Sequence, residues 1–265
     1  MSGKAKLSFA VCIFFICAFS SSHAALVLNP AMPITSLVRV QPIIVSNDDG
    51  SNTATYFGNA TQQATIFGLV DDIWAQAGID VDFLSPNFWN DTFANIGNMD
   101  QRPQSDLGTI RADGIAAGVA NADATILNMY LVNSVPGFNI NDLIPNNAAG
   151  LASVGGNGFA QWVGSSLLTF QDGLEVIASV VAHEIGHNLG LDHNAIDENL
   201  MAQGAADGER LNAAQIADVL NNSQFVTAAP VPVPAAVWLF ASALIGLFSV
   251  RNRKTGNSLA EPALA

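Results

Sequence analysis

The stretch that decides the fold is His183-Glu-Ile-Gly-His-Asn-Leu-Gly-Leu-Asp-His193, which holds three of the chain's four histidines. On a helix, His183 and His187 are one turn apart and share a face, so both imidazoles can reach one ion. Gly190 can end that helix with a positive φ and turn the chain, so that His193 supplies a third nitrogen. Three histidines leave the fourth position of a tetrahedral Zn²⁺ open, as in catalytic zinc sites. The stretch therefore predicts one catalytic Zn²⁺ bound by His183, His187 and His193.

Glu184 follows the first histidine and is close enough to act on a metal-bound water without binding the metal. Zinc lowers the pKa of such a water toward 7, so a neighbouring carboxylate can remove its proton. The sequence therefore predicts Glu184 as the catalytic general base. Three solvated histidines with no metal are the other interpretation, but a glycine and a third histidine at fixed offsets rarely arise by chance.

This stretch resembles the metzincin signature His-Glu-x-x-His-x-x-Gly-x-x-His, and every defined position is matched. The resemblance implies an α+β zincin-like fold: a twisted mixed five-stranded sheet, a central active-site helix, a Met-turn and a C-terminal helix. It implies a methionine beneath the metal, for which Met201 is the candidate, although a methionine is also ordinary core filling. It further implies a zinc metalloendopeptidase acting on protein or peptide substrates. Asn194, the residue after the third histidine, matches none of the better-known metzincin subfamilies and leaves the subfamily open, although the overall sequence looks nearest to bacterial matrixin-like or reprolysin-like secreted enzymes.

The N-terminus is typical of a secretory signal peptide. Lys4 and Lys6 precede an apolar run over residues 7–19, and small residues lead up to Ala24. We expect signal peptidase to remove residues 1–24, because the run is short for a membrane span. Both cysteines, Cys12 and Cys17, lie in this segment, so the exported chain would fold without disulfides.

The C-terminus carries a second targeting pattern. Residues 231–234 read Val-Pro-Val-Pro, residues 235–250 are apolar, and Arg251, Arg253 and Lys254 follow. The pattern over 230–254 resembles the PEP-CTERM sorting signal, which exosortases remove in Gram-negative bacteria that make exopolysaccharide; residues 255–265 form a short tail. This predicts export to the cell surface or extracellular matrix, with membrane contact through 235–250. A plain membrane anchor is the alternative, and a buried core helix is a weaker one.

Residues 25–229 remain for one catalytic domain. The pattern predicts strands over 39–45, 79–84 and 124–132, a helix over 62–77, and a last helix capped by Asn212 and Gln215. Asp172 and Glu175 form a capping-box pattern ahead of the histidine helix. Residues 155–163 would form an edge strand, which in metzincins pairs with extended substrate, or else a simple hairpin.

Charge excludes some partners. The chain has 22 acidic residues against nine lysines and arginines, a net charge of −13, which repels nucleic acid. The turns at 47–52, 100–106 and 139–147 suggest possible Ca²⁺ binding, although acidic surface turns are the simpler interpretation. The rival to a peptidase is a non-enzymatic matrix or adhesion protein that zinc only stabilises.

Overall fold

The computed structural model describes residues 26–96, 105–133, 149–170, 172–202 and 208–230, together with 240 and 242. Five α-helices lie in these residues: α1 (Ala60–Ala75), α2 (Thr92–Ile96), α3 (Ser105–Ala116), α4 (Gly173–Asn188) and α5 (Ala213–Asn222). Seven strands accompany them: β1 (Ser36–Ser46), β2 (Ile79–Phe83), β3 (Asn87–Asn90), β4 (Ile126–Leu131), β5 (Gly150–Ala152), β6 (Phe159–Gln161) and β7 (Thr227–Ala228).

One mixed sheet organises the fold, in the order β2-β1-β4-β6-β5. β1 pairs in parallel with β2 and β4, β4 pairs in parallel with β6, and the β5–β6 pair is antiparallel. The predicted count of five strands is too low, because β3 and β7 also pair with β1. β3 continues the edge begun by β2 after Pro86, which lacks the N–H needed for a ladder bond. β7 has two residues, too few for an alternating pattern.

Helices cover both faces of the sheet. α1 and α4 pack on one face, where Val70, Trp74, Val181 and Ile185 belong to one buried cluster with strand residues. α3 covers the other face, where Leu107 and Ile110 belong to a second cluster. α4 thus packs against α1 and against the sheet, which gives its buried side chains fixed positions.

Most predicted elements are confirmed, including the capping box of Asn212 and Gln215 on α5. The one predicted at Asp172 and Glu175 is wrong. Asp172 has a left-handed backbone with φ of 63°, and its side chain makes no cap hydrogen bond. A capping side chain needs an extended backbone at its own residue, which this turn does not provide.

The predicted edge strand is also corrected. The segment 155–163 yields β6, which is bonded to β4 on one side and to β5 on the other. It is therefore the inner strand of a hairpin, as the alternative interpretation held, and among the described strands β5 forms that edge of the sheet. The sequence did not single out β5, because three residues are too few for a strand pattern.

The two predicted targeting segments fall outside this fold. Residues 1–24 and 255–265 lie outside the described residues, as do residues 235–250 apart from positions 240 and 242. Within the described ranges, no helix has both the length and the apolar character needed to cross a bilayer.

Candidate metal centre

The three predicted ligands come together at the end of α4. His183 and His187 lie one turn apart with their Nε2 atoms 3.1 Å from each other. Gly190 then takes a φ of 108°, and the chain turns so that His193 Nε2 lies 3.2 Å from His187 Nε2. A Cβ atom at Gly190 would meet nothing within 4 Å, so this glycine is needed for its backbone conformation alone. The predicted convergence of three imidazoles is confirmed.

The hydrogen bonds of the rings leave the right atoms free for a metal. His183 Nδ1 lies 2.6 Å from the carbonyl oxygen of Leu200, and His187 Nδ1 lies 2.8 Å from that of Leu191. A carbonyl only accepts, so each Nδ1 must carry the proton and donate it. Each Nε2 then presents a bare lone pair toward the others. Backbone carbonyls bonded in this way orient metal-binding histidines.

The spacing of the nitrogens suits zinc. Two nitrogens on a tetrahedral Zn²⁺, each about 2.05 Å from the ion, lie about 3.3 Å apart. The observed separations of 3.1 and 3.2 Å are close to this. Burial lowers the pKa of His183 to about 4 and also lowers the pKa of His187, so both rings stay in the neutral form that binds metal. The residues present therefore fit a zinc ion.

Glu184 directly follows His183 in α4, and it is almost fully covered, with 6% of its surface exposed. Burial raises the pKa of Glu184 to about 8, against the opposing effect of a hydrogen bond from the backbone of Ala152. Its Oε2 atom has no hydrogen-bond partner among the described residues. A buried acid with a raised pKa and one unpartnered oxygen, next in sequence to a candidate metal ligand, is typical of a functional site.

Met201 lies against the helix that carries two of the ligands. It is fully buried, and a Cβ atom at Gly186 would lie 2.5 Å from its Sδ atom. The backbone of Asn194 donates a hydrogen bond to the Met201 carbonyl at 2.7 Å, which ties this turn to the residue after His193. The close approach of sulfur to α4 therefore depends on the glycine between His183 and His187.

Sequence reasoning missed one residue that shapes the centre. Asn188, the last residue of α4, is 1% exposed; its Oδ1 accepts from Gly158 N at 3.1 Å, and its Nδ2 donates to the Ser153 carbonyl at 3.2 Å. The N–H of Gly155 also donates to the His187 carbonyl at 2.8 Å. The β5–β6 turn is thus fastened to the end of the histidine helix. An amide next to His187 in a helix that is otherwise largely apolar was the available signal.

The possible calcium sites find no support. At the turn 47–52, Asp48 Oδ1 accepts from the backbone of Thr92 and Asp49 Oδ1 accepts from that of Ser51. Within the described ranges, the three histidines are the only group of three or more His, Cys, Asp or Glu side chains placed to share an ion. The turn at 139–147 lies outside those ranges, and so do residues 100–104 of the turn at 100–106.

Comparisons with known proteins agree with this chemistry over part of the chain. Residues 92–194 match the model of the reprolysin-like metallopeptidases of family M12B, a stretch that contains all three histidines and Glu184. The predicted resemblance to reprolysin-like enzymes is confirmed over this stretch, and the matrixin-like alternative finds no support. No curated protein matches the chain.

Several solved structures are similar to the chain at low sequence identity. Archaemetzincin from Methanopyrus kandleri is 12% identical with a TM-score of 0.43, over 70% of this chain and 94% of that one. Metalloproteinase-II from Bacteroides fragilis is 14% identical with a TM-score of 0.45, over 74% of this chain and 56% of that one. A zinc-dependent peptidase from Methanocorpusculum labreanum is 11% identical with a TM-score of 0.43, over 69% and 99%.

Proposed function

We propose that this protein is a zinc-dependent endopeptidase in which Glu184 is the general base. The proposal rests on the convergence of three imidazole Nε2 atoms, with a buried acid that has one unpartnered oxygen at the position directly after His183. A structural zinc site closes all four positions with protein ligands, whereas three histidines leave one open. The family match over residues 92–194 supports a metallopeptidase.

Each residue of the site has a separate role in the proposed reaction. Zinc bound by His183, His187 and His193 would supply a Lewis acid that acidifies water and polarises the carbonyl of a peptide bond. Glu184 accepts a proton from the attacking water and delivers it to the amine nitrogen as the C–N bond breaks. The carbonyls of Leu200 and Leu191 keep His183 and His187 in the tautomer that presents Nε2 to the metal. Met201 packs beneath this turn of α4 as its floor.

The test compares the zinc-loaded full chain with Glu184→Gln, which keeps the size of the side chain but cannot accept the proton. We expect zinc content to stay near one equivalent while casein hydrolysis falls by about 10²- to 10⁴-fold. Glu175→Gln, the same change at the other end of α4, is the matched control and should keep full activity. Full hydrolysis by Glu184→Gln would remove Glu184 from the mechanism.

The non-enzymatic matrix or adhesion protein is the outcome that this assay separates. If the wild-type chain binds zinc, unfolds at a lower temperature after chelation, and cleaves no peptide, zinc only stabilises the fold. The presence of Glu184 directly after His183 argues against that outcome, because a purely structural zinc site has no use for a general base.

We also propose that the enzyme is exported and sorted to the cell surface or matrix. The support is the signal-like segment at 1–24 and the PEP-CTERM-like segment at 230–254. Signal peptidase and an exosortase would then be transient partners. Mass spectrometry of the chain recovered from its native host tests this: new termini after Ala24 and near the Val-Pro-Val-Pro segment are expected, and an intact chain in the cytoplasm would contradict it.

A further inference from the structure

Gly150 is the first residue of β5, and it faces the side chain of Glu184. A Cβ atom at Gly150 would lie 2.5 Å from Glu184 Cγ, 2.7 Å from Oε1 and 2.8 Å from Cδ. Real Cβ atoms essentially never approach other heavy atoms so closely. The side chain of Glu184 therefore occupies the volume that any other residue at position 150 would need.

This glycine is not required by its backbone conformation. Gly150 is absent from the residues with positive φ, whereas Gly190 has a φ of 108° and open space where its Cβ would be. The two glycines thus serve opposite needs: Gly190 permits a turn, and Gly150 leaves room. A glycine inside a strand commonly marks a place where another group approaches the backbone closely.

The strand cannot easily retreat to make room for a larger residue. Its far end, Ala152, donates a backbone hydrogen bond to the Glu184 carboxylate. The turn that follows is fastened to α4 by Asn188 and by the bond from Gly155 N to the His187 carbonyl. On its inner side, β5 pairs with β6 from Gly150 to Ala152. The separation of β5 from α4 is therefore fixed at the Ala152 end of the strand and in the turn that follows it.

We propose that Gly150 is a positioning residue for Glu184: by lacking a side chain, it admits the carboxylate between β5 and α4 and sets where the free Oε2 atom lies. The inference rests on the proposed function, since it assigns Gly150 a part in the reaction through Glu184. The proposed role is steric and not electrostatic, so the effect of a substitution at Gly150 should depend on whether the Glu184 side chain is present.

The experiment is a double-mutant cycle on the full zinc-loaded chain. Gly150→Ala is made in the wild type and in Glu184→Ala, which removes all three atoms that the new Cβ would meet. In the wild-type background we expect the unfolding temperature to fall by about 5 °C, because overpacked sites are strained. In the Glu184→Ala background we expect no fall. Gly108→Ala is the control, because a Cβ there meets nothing within 4 Å.

Kinetics on a fluorogenic peptide give the second readout. A displacement of the carboxylate by about 1 Å should lower kcat of Gly150→Ala about a hundredfold, with KM little changed and zinc still bound. A merely structural defect would instead lower the active fraction and the zinc content together. Equal losses of stability in both backgrounds, or full kcat in Gly150→Ala, would overturn the proposal.

These outcomes are distinct from failure of the proposed function. If the wild-type chain cleaves no peptide, the peptidase proposal fails and Gly150 has no catalytic part. The unfolding temperatures of the four chains still decide whether Gly150 and Glu184 share one space.

Discussion

The contact between Gly186 and Met201 gives the sharpest prediction about the floor of the metal centre. A Cβ atom at position 186 would lie 2.5 Å from the Met201 Sδ atom, whereas an ordinary van der Waals contact is about 3.5 to 4 Å. Gly186→Ala must therefore push the sulfur, or this turn of α4, by about 1 Å. Because Met201 is fully buried, we expect Gly186→Ala to lower the free energy of unfolding by about 1 to 3 kcal/mol.

The coupling of the pair separates this cause from a general defect of the helix. Met201→Ala alone should cost about 2 to 5 kcal/mol through the cavity that it leaves. In the double variant the new methyl group has room, since the next neighbour, Trp74 Cζ2, lies at an ordinary 3.7 Å. The two losses should then be clearly less than additive.

The assay is urea unfolding of the full chain, together with zinc affinity measured by competition with a chelator. We expect Gly186→Ala to weaken zinc binding, because position 186 lies between the ligands His183 and His187. Gly68→Ala on α1, where a Cβ meets nothing within 4 Å, should leave zinc affinity unchanged. Additive losses of stability, or unaltered zinc affinity in Gly186→Ala, would refute the role of Met201 as the floor.

Three further predictions concern a half-buried acid on α1, the end of the histidine helix and the metal itself. Burial raises the pKa of Asp71 to about 6, so the folded chain holds this proton to higher pH than the unfolded chain, and stability falls as pH rises from about 4 to 6. In urea titrations, Asp71→Asn should raise the free energy of unfolding by about 1 kcal/mol over the wild type at pH 7 and leave it unchanged at pH 3.5; the value is kept small because this half-buried group is partly solvated. Asp72→Asn, at the exposed neighbouring position, is the control and should show no such dependence on pH. Asn188→Ala should lower the free energy of unfolding by about 2 to 3 kcal/mol, because the buried N–H of Gly158 loses its acceptor. The 153–158 turn should also become more susceptible to protease, and an unchanged rate of proteolysis would contradict this prediction. Removing zinc should lower the unfolding temperature, since a ligand at a thousandfold excess over its Kd adds about 4 kcal/mol to the free energy of unfolding. Calorimetry with and without a chelator measures this, and equal unfolding temperatures would show that the site binds no metal.

Much of the fold could be predicted because its elements carry local signals. α1 and β1 have clear apolar periodicity, and α5 has a capping box that the structure confirms. The errors arose where tertiary contacts decide. β3 and β7 are too short to show an alternating pattern, and Asp172 has capping chemistry but a left-handed backbone that prevents its use.

The candidate site divides in the same way. The sequence determined the ligands by itself, because a helix fixes the spacing of His183 and His187 and the positive φ of Gly190 brings His193 to them. It could not show that Gly150 and Glu184, 34 positions apart, compete for the same volume. Nor could it show which strand forms the edge or how deeply the carboxylate is buried. Local geometry follows from neighbouring residues, whereas burial and close approach exist only after distant segments have packed together.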